Sequence, residues 1–248
     1  MTGLPKAETM PSLVEVFGKR PGRMGLLDSG LERLDAGNSV VLEIGCSVGE
    51  ASAHVASKYG CIVSAIDISS EDIEKAKRSN GHANVRYETA RAEAIPFEDE
   101  KFDVVFSEAA FSLLKEKEKS VSEYRRVLKG NGCVLINDFT LRNRIDESLR
   151  GDMDFIPCFA GVDTKEGYIK YFEEQGFELA YESDESKEIV KTAMWIAKAY
   201  KTPLSELSGL FSGFLSKNDP EKDSGSCECF FQSAKLGYVQ LIFRKGGK

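Results

Sequence analysis

The sequence has no apolar run of the roughly 20 residues that a membrane-spanning helix requires. Its N-terminus has no apolar core of the kind found in secretory signal peptides. An excess of positive charge is also absent, because 33 Lys and Arg residues stand against 40 Asp and Glu residues. Nucleic-acid phosphates are bound by clustered Lys and Arg. The composition therefore predicts a cytoplasmic protein that binds neither a membrane nor a nucleic acid.

Ligand sets for a metal ion are scarce. The C-x-C of Cys227 and Cys229 has no second cysteine pair of the kind that makes a zinc site persuasive, so no metal site is predicted. In a reducing cell the six cysteines do not imply disulfides either. One alternative stays open: Cys158 with Cys227 or Cys229 would suit a soft metal or metalloid, because thiolates prefer soft acceptors. The other interpretation is that these are loop cysteines without a ligand.

A strand at 40–44 runs directly into a glycine turn and then into a helix. This is the outline of a nucleotide-cofactor pocket. A dinucleotide-binding turn needs G-x-G-x-x-G, whereas here Gly45 and Gly49 enclose Ser47 and no third glycine follows, which disfavours a phosphate site. The acidic Glu43 inside the motif favours a ligand that carries positive charge. S-adenosylmethionine, with its sulfonium and ammonium groups, fits this turn.

A second acidic residue, Asp67, ends the apolar run at 61–66. With the helix predicted over 51–59, these segments form a β-α-β unit of about 30 residues. In such a unit the carboxylate at the tip of the second strand holds the ribose hydroxyls of an adenosine. The alternative is that Asp67 caps the next helix, a role that Ser69 can fill.

Five segments, in one order along the chain, together carry a family resemblance. They are Val41-Leu42-Glu43-Ile44-Gly45-Cys46, Ala65-Ile66-Asp67-Ile68-Ser69, Ala92-Glu93-Ala94-Ile95-Pro96-Phe97, Phe102-Asp103-Val104-Val105-Phe106 and Arg125-Arg126-Val127-Leu128-Lys129-Gly130-Asn131-Gly132. Over most of residues 38 to 180 the chain resembles the class I S-adenosylmethionine-dependent methyltransferases, in the type 11 and ubiquinone-biosynthesis branch. The resemblance implies S-adenosyl-L-methionine as cofactor, S-adenosyl-L-homocysteine as product and a small molecule as methyl acceptor.

The fold that this resemblance implies is Rossmann-like α/β, with a seven-stranded, mostly parallel sheet and helices on both faces. A chain of 248 residues with 42% hydrophobic residues can bury one full core, so a single domain is expected over 1–248. Within it we expect an N-terminal helical lid at 1–37 and a cofactor-binding core at 38–182. A helical insertion with a mobile loop at 183–235 and a last strand at 236–248 complete the expectation. The sequence does not predict an oligomeric state.

The resemblance also implies the cofactor contacts. They are Glu43, Gly45, Cys46, Gly49, Asp67, Ile68, Ala92, Glu93 and Ser107. Two positions depart from the family pattern: Ser47 replaces the middle glycine, and Arg91 replaces an acidic residue that often binds the adenine amino group. Backbone groups of Ala92 and Glu93 can still bind the adenine edge, because main-chain donors and acceptors do not depend on the side chain.

Methyl transfer from a sulfonium is an in-line displacement, so the protein mainly has to align the acceptor with the methyl carbon. A general base is needed only if the acceptor arrives protonated. Glu108 and Asp138, at the ends of the fourth and fifth predicted strands, are the candidate bases, and Glu108 is the stronger one. Its competing roles are a contact with the methionine end of the cofactor and a structural ion pair with Arg142.

A weaker resemblance, carried by Arg20-Pro21-Gly22 and by the segments 107–113, 138–142 and 156–161, points to the neighbourhood of the arsenite methyltransferases. Those enzymes bind their substrate through cysteine thiolates, and Cys158 matches one such position by context. The candidate substrate residues are therefore Arg142, Cys158 and Trp195. Besides a small-molecule methyltransferase, two alternatives remain: a non-catalytic cofactor-binding partner protein and a nicotinamide oxidoreductase, which Ser47 disfavours.

Overall fold

The computed structural model describes residues 20–143, 161–199, 201, 203 and 235–247. Its helices are α1 Arg23–Arg33, α2 Glu50–Tyr59, α3 Ser70–Ser79, α4 Lys117–Val127, α5 Lys165–Glu174 and α6 Lys187–Ala199. Its strands are β1 Val40–Ile44, β2 Ile62–Asp67, β3 Val85–Thr89, β4 Phe102–Glu108, β5 Leu128–Leu141, β6 Phe177–Asp184 and β7 Leu236–Lys245. No helix in this described part is both long and apolar enough to cross a membrane.

The strands form one seven-stranded sheet in the order β3-β2-β1-β4-β5-β7-β6. The strands β1 to β5 pair in parallel, whereas β7 runs antiparallel to both of its neighbours, β5 and β6. The helices between the parallel strands are the crossovers that this pairing requires. The predicted seven-stranded, mostly parallel sheet is confirmed.

Two hydrophobic cores lie on the two faces of the sheet, because successive side chains of a strand point to opposite sides. The face covered by α1, α2 and α3, here called the α1 face, buries Leu27, Val55, Ile73, Phe106 and Leu135. The face covered by α4 and α5, here called the α4 face, is rich in aromatic residues, among them Tyr124, Tyr168, Phe172 and Phe243. The rings of Phe172 and Phe243 stack at 4.0 Å between centroids. Helices on both faces are thus confirmed as well.

Local signals explain where several helices begin and end. Gly49 and Gly60 flank α2 with φ angles of 81° and 67°, a conformation that glycine adopts without a steric penalty. Ser69 caps α3, since its hydroxyl accepts a hydrogen bond from the backbone amide of Asp72 at 3.2 Å. Ser69 therefore fills the capping role that was the alternative for Asp67.

The fifth strand begins earlier than the sequence predicts. The glycines at 130 and 132 predict a helix over 116–129 and a strand over 132–138, whereas α4 ends at Val127 and β5 starts at Leu128. Leu128 pairs with Phe102, and the next register pair joins Cys133 to Val104, so 129–132 bulge out of the ladder. The glycine-rich segment therefore interrupts a strand rather than ending a helix.

The N-terminal part of the predicted lid, residues 1–19, lies outside the described residues, as does the predicted short helix at 11–18. The second predicted helix of the lid, 26–36, is α1, which buries Leu27 and Leu31 completely against the α1 face. In the predicted insertion, α6 is described, whereas residues 204–234 lie outside the described residues.

Candidate functional site

The carboxyl ends of β1, β2 and β4 meet at one edge of the sheet, because these strands are parallel and adjacent. Gly45 and Gly49 of the turn after β1 have φ angles of 74° and 81°. A Cβ at Gly49 would lie 2.5 Å from the hydroxyl oxygen of Tyr87, which itself donates to the Gly49 carbonyl at 3.1 Å. Ser47, with φ 46°, adopts the left-handed conformation without being glycine. The turn is therefore held tightly and leaves its backbone at the edge of the sheet.

Asp67 connects this turn to the next loop. Its Oδ2 accepts a hydrogen bond from the backbone amide of Ser47 at 2.8 Å, and its Oδ1 accepts one from the amide of Ser69 at 2.9 Å. Each carboxylate oxygen has a further lone pair. Asp67 can therefore hold both loops and still accept hydrogen bonds from two hydroxyl groups of a ligand.

Glu43 lies under the turn and is only 1% exposed. The hydroxyl of Ser52 donates to its carboxylate. Burial raises the pKa of Glu43 to about 8, and the nearby positive charge of Arg20 opposes that rise. A cation that reached this carboxylate would therefore find a strong, largely desolvated partner.

Glu108, at the end of β4, belongs to a row of polar side chains that crosses the sheet on the α1 face. In the strand register Glu108 pairs with Asn137 of β5, and Asn137 pairs with Gln240 of β7. The amide Nδ2 of Asn137 donates to Oε1 of Glu108 at 2.5 Å, and Nε2 of Gln240 donates to Oδ1 of Asn137 at 3.0 Å. Burial raises the pKa of Glu108 to about 7, whereas Arg20 and Asn137 act to lower it.

Arg20 completes this row from the segment before α1. Its Nε donates to Oε2 of Glu108 at 2.8 Å, and its side chain is 15% exposed. The only other contact of its guanidinium within the described residues is from Nη2 to the sulfur of Met24, at 3.9 Å. Within the described ranges, the remaining N–H donors of this largely buried cation make no hydrogen bond. The Arg20-Pro21-Gly22 run carries a family resemblance in the sequence, but nothing local in it predicts the contact with Glu108.

Asp138, the second candidate base, faces the other way. It is fully buried on the α4 face, next in sequence to Asn137. Its Oδ2 accepts from the backbone amide of Ser112 at 3.0 Å and its Oδ1 from the amide of Phe139 at 2.7 Å. Burial raises its pKa to about 6 against these hydrogen bonds. The structure therefore does not bring Glu108 and Asp138 together.

The predicted adenine contacts lie farther along the same edge. Ile68 follows β2 and is 63% exposed, whereas Ala92 is buried. Arg91 donates from Nε to Glu93 at 2.6 Å, so these two side chains satisfy each other at the surface. Ser107 is completely buried, and its hydroxyl has no hydrogen-bond partner among the described residues. Burial raises the pKa of the thiol of Cys46, the remaining predicted contact in the turn.

The predicted substrate residues are only partly described. Arg142 donates to Asp184 at 2.9 Å in an exposed ion pair, and Glu108 pairs with Arg20, so the alternative role of Glu108 as the partner of Arg142 is wrong. Trp195 lies on α6 and is 37% exposed. Cys158 lies outside the described residues, as do Cys227 and Cys229. Within the described ranges no cluster of His, Cys, Asp and Glu side chains could hold a metal ion.

Comparison with known proteins gives this site a family. The family described as "Methyltransferase domain" matches residues 42–136. The sarcosine/dimethylglycine N-methyltransferase of Halorhodospira halochloris is 31% identical over 226 residues, 88% of this chain and 79% of that protein. An uncharacterized protein of Haemophilus influenzae is 33% identical over 144 residues, 55% of this chain and 57% of that protein. The structure of Haemonchus contortus phosphoethanolamine N-methyltransferase 2 with S-adenosyl-L-methionine has a TM-score of 0.72 at 19% identity, over 95% of this chain and 56% of that one.

The chain belongs to the class I S-adenosylmethionine-dependent methyltransferases. Their cofactor, S-adenosylmethionine, fits the residues at the carboxyl edge of the sheet. Within the described residues, this edge presents hydrogen-bond acceptors on Asp67, a buried carboxyl group on Glu43 and guanidinium donors on Arg20.

Proposed function

We propose that the protein transfers the methyl group of S-adenosylmethionine to a small molecule by in-line displacement. The observation that carries the proposal is the arrangement of Arg20, Glu43 and Asp67 around one glycine turn. An anion-binding group, a cation-binding group and a hydroxyl-binding group there match the carboxylate, the ammonium and the ribose of one cofactor. When bound, the cofactor supplies an electrophilic methyl group, and the protein supplies alignment and exclusion of water.

The adenosine half is proposed to lie over the ends of β1 and β2. Asp67 accepts hydrogen bonds from the ribose hydroxyls, and the exposed side chain of Ile68 packs on one face of the adenine. Backbone groups of Ala92 and Glu93 bind the adenine edge, since the Arg91 side chain is engaged with Glu93. The exposure of Ile68 supports this placement, because a large apolar side chain at a ligand edge gains free energy when a ring covers it.

The amino-acid half is proposed to lie on the α1 face, where Gly45, Cys46 and Gly49 leave the backbone accessible. Glu43 receives the ammonium and Arg20 receives the carboxylate. Two carboxyl groups with raised pKa values surround Arg20, and a bound ammonium would favour their ionised forms. Ser107 on β4 pairs with Ile136, whose side chain packs in the core of the α4 face, so we propose that its backbone rather than its hydroxyl contacts the cofactor.

Two roles remain for Glu108. A pKa of about 7 suits a general base at neutral pH. Its two oxygens, however, already accept hydrogen bonds from Arg20 and Asn137, which supports the alternative role of holding Arg20 at the methionine end. We propose this second role for Glu108 and expect an acceptor that reaches the methyl group without needing a base. Asp138, on the opposite face, is then a buried support for backbone rather than a catalytic residue.

The acceptor is proposed to be a small amine. The sarcosine/dimethylglycine N-methyltransferase that shares 31% identity with this chain supports that class, and a neutral amine needs no general base when it attacks. Arg142 and Trp195 are proposed as acceptor contacts. A metalloid acceptor held by Cys158 with Cys227 or Cys229, and a non-catalytic role as a cofactor-binding partner of another protein, are the alternatives that the experiment has to separate.

The test has two stages. Calorimetric titration of the reduced, ligand-stripped protein with S-adenosylmethionine and S-adenosylhomocysteine measures cofactor binding, with NADH as the negative ligand. Transfer of radiolabelled methyl from S-adenosylmethionine is then measured over small amines, thiols, phenols and arsenite, with Cys158→Ser as the control for the metalloid route. Turnover with an amine is expected. Binding of both sulfur ligands without turnover on any acceptor would favour the non-catalytic alternative.

A further inference from the structure

We propose that Asn137 and Gln240 are positioning residues that orient Glu108, and through it Arg20, for the amino-acid end of the cofactor. The proposal rests on the proposed function, because it takes the amino-acid end to lie beside Arg20. It adds a series of hydrogen bonds, here called the relay, that runs from the backbone of α1 through Gln240, Asn137 and Glu108 to Arg20. Gln240 and Asn137 need not touch the cofactor.

The relay follows the strand register. Glu108, Asn137 and Gln240 are direct register partners on three adjacent strands, so their side chains stand side by side on the α1 face. The side chain of Asn137 uses both of its ends: Nδ2 donates to Glu108 at 2.5 Å, and Oδ1 accepts from Gln240 at 3.0 Å. A flipped amide would turn its oxygen toward the carboxylate of Glu108, where two acceptors repel. The orientation of Asn137 is therefore set by its two neighbours.

The orientation of Gln240 is set in turn by α1. Its Nε2 carries two hydrogens, and besides Asn137 it donates to the backbone carbonyl of Leu26 at 2.8 Å. A carbonyl only accepts, so the amino group of Gln240 has to face α1 and Asn137. Ser29 of α1 lies 3.5 Å from Gln240 as well. The backbone position of α1 thus determines which way both amides point.

Water cannot replace a lost member of this row. Asn137 is completely buried and Gln240 is 1% exposed. The backbone carbonyl of Asn137 is held too, since the amide of Ala109 donates to it at 2.8 Å and the hydroxyl of Tyr238 at 3.2 Å. A rigid backbone leaves the side chains little freedom to find other partners. Removal of one donor would leave an unsatisfied acceptor inside the protein.

The consequence for Glu108 is electrostatic. Burial favours its neutral form, while Arg20 and the amide of Asn137 favour its ionised form. The charge of Glu108 fixes the Nε side of the Arg20 guanidinium, and the fork geometry of a guanidinium then aims its remaining donors. A misoriented Asn137 would weaken the ion pair and leave Arg20 free to rotate away from a cofactor carboxylate.

A purely structural role for Gln240 predicts a different outcome from a positioning role. Loss of packing would weaken the binding of every ligand at the carboxyl edge of the sheet alike. Loss of positioning would weaken the binding only of ligands that have an amino-acid end. S-adenosylhomocysteine has that end, whereas 5′-methylthioadenosine has the adenosine and the thioether without it. The ratio of the two dissociation constants therefore separates the two roles.

The experiment titrates both ligands into the wild-type protein and four variants by calorimetry. Gln240→Met removes both donors at similar volume, and Gln240→Glu retains the shape if Gln240→Met fails to fold. Thr140→Val is the matched control, a buried change on β5 outside the relay. Arg20→Met reports the amino-acid end directly. We expect Gln240→Met to weaken S-adenosylhomocysteine about tenfold, the order of one hydrogen bond to a charged group, with 5′-methylthioadenosine and Thr140→Val unchanged within twofold.

Equal weakening of both ligands in Gln240→Met and Gln240→Glu would overturn the proposal in favour of a structural role. Selective weakening by Arg20→Met with no effect of either Gln240 variant would also overturn the relay, while the proposed placement of the cofactor would stand. If Arg20→Met itself weakens both ligands equally or neither, the amino-acid end does not lie at Arg20. That result would overturn the placement and the relay with it.

Discussion

The two faces of the sheet treat buried carboxyl groups differently at the same edge. On the α1 face, Glu43 and Glu108 share one arginine and stand beside a guanidinium with open donors. On the α4 face, Asp138 is completely buried and accepts hydrogen bonds from two backbone amides. Burial raises the pKa of all three groups, to about 8 for Glu43, about 7 for Glu108 and about 6 for Asp138, so the two faces differ in the partners of these groups rather than in the direction of the shift.

We propose that this difference distinguishes the face that binds the cofactor from the face that stabilises the fold. Asp138 has fixed donors from its own backbone, so the fold alone compensates for its burial. On the α1 face the single positive charge of Arg20 lies near two carboxyl groups, Glu43 and Glu108, and a zwitterionic ligand would bring a further cation and an anion to them. We therefore expect the buried carboxyl groups of the α1 face, Glu43 and Glu108, to serve ligand binding. We expect the buried carboxyl group of Asp138 to serve the stability of the fold.

The largest effect is expected at Asp67. Asp67→Ala removes the carboxylate that joins two loops and the proposed ribose acceptor. A lost hydrogen bond to a charged group costs about 1.5 to 3 kcal/mol, so affinity for S-adenosylmethionine should fall roughly 10- to 150-fold. Calorimetry measures it, with Asp99→Ala, at an exposed aspartate, as the control. An unchanged affinity in Asp67→Ala would remove the ribose assignment.

The next effect concerns pH. The pKa of Glu43 is raised to about 8, so near pH 7 its carboxyl group is mostly protonated, and a bound ammonium should favour the ionised form. Binding should then release a proton, and affinity should rise with pH between 6 and 8 by up to about tenfold per unit. Titrations in buffers of different ionisation enthalpy measure the release, which Glu43→Gln should reduce. Proton uptake on binding would contradict the assignment.

The raised pKa of Glu43 also determines how the free energy of unfolding of the ligand-free protein changes with pH. Because folding raises the pKa of Glu43, the folded protein binds the proton more strongly than the unfolded chain. Its contribution to the free energy of unfolding is therefore full below the unfolded pKa and declines as the pH rises toward 8. Urea denaturation of the wild-type protein and Glu43→Gln should diverge over that window, with the wild-type protein losing more stability.

On the α4 face we expect a smaller effect, at Asp138, and we expect it in the free energy of unfolding rather than in the affinity for the cofactor. Asp138→Asn should lower the free energy of unfolding by about 1 to 3 kcal/mol, because a buried backbone amide loses its charged acceptor. Affinity for S-adenosylhomocysteine should stay within twofold. Glu108→Gln is the matched change across the sheet and should affect affinity for S-adenosylhomocysteine instead. An Asp138→Asn protein of normal stability that binds the cofactor poorly would reverse the assignment of the two faces.

The smallest effect is expected at Arg142. Its ion pair with Asp184 is exposed, and such pairs contribute about 0 to 1 kcal/mol. Arg142→Ala should therefore leave both the stability and the affinity for S-adenosylhomocysteine nearly unchanged. If Arg142 contacts the acceptor as proposed, only the KM for the acceptor should rise in the methyl-transfer assay. A large loss of stability would show that the pair is structural.

The turn after β1 and the acidic end of β2 could be predicted from the local sequence. A strand, a glycine turn, a helix and a second strand that ends in Asp67 follow one another within a single β-α-β unit, so spacing alone places Glu43, Gly45 and Asp67 near each other. The start of β5 was not predicted, because glycines at 130 and 132 are typical of helix ends and equally of a bulge. Local patterns do not separate these two outcomes.

The row of polar side chains formed by Glu108, Asn137, Gln240 and Arg20 could not be predicted, because its members come from distant parts of the sequence. Gln240 is distant in sequence from Glu108, and only the antiparallel register of β7 against β5 places it next to Asn137. Arg20 precedes any strand, and nothing in its neighbours fixes where its side chain goes. The wrong pairing of Arg142 with Glu108 has the same origin, since the partner of a charged residue depends on tertiary contacts.

We propose that the cofactor's amino-acid end lies on the α1 face between Glu43 and Arg20. A crystal structure of the complex with S-adenosylhomocysteine would decide this placement. We expect the ligand carboxylate within hydrogen-bonding distance of the Arg20 guanidinium, the ammonium at Glu43 and the ribose at Asp67. An amino-acid end bound elsewhere, with Arg20 touching only Glu108 and Met24, would contradict it.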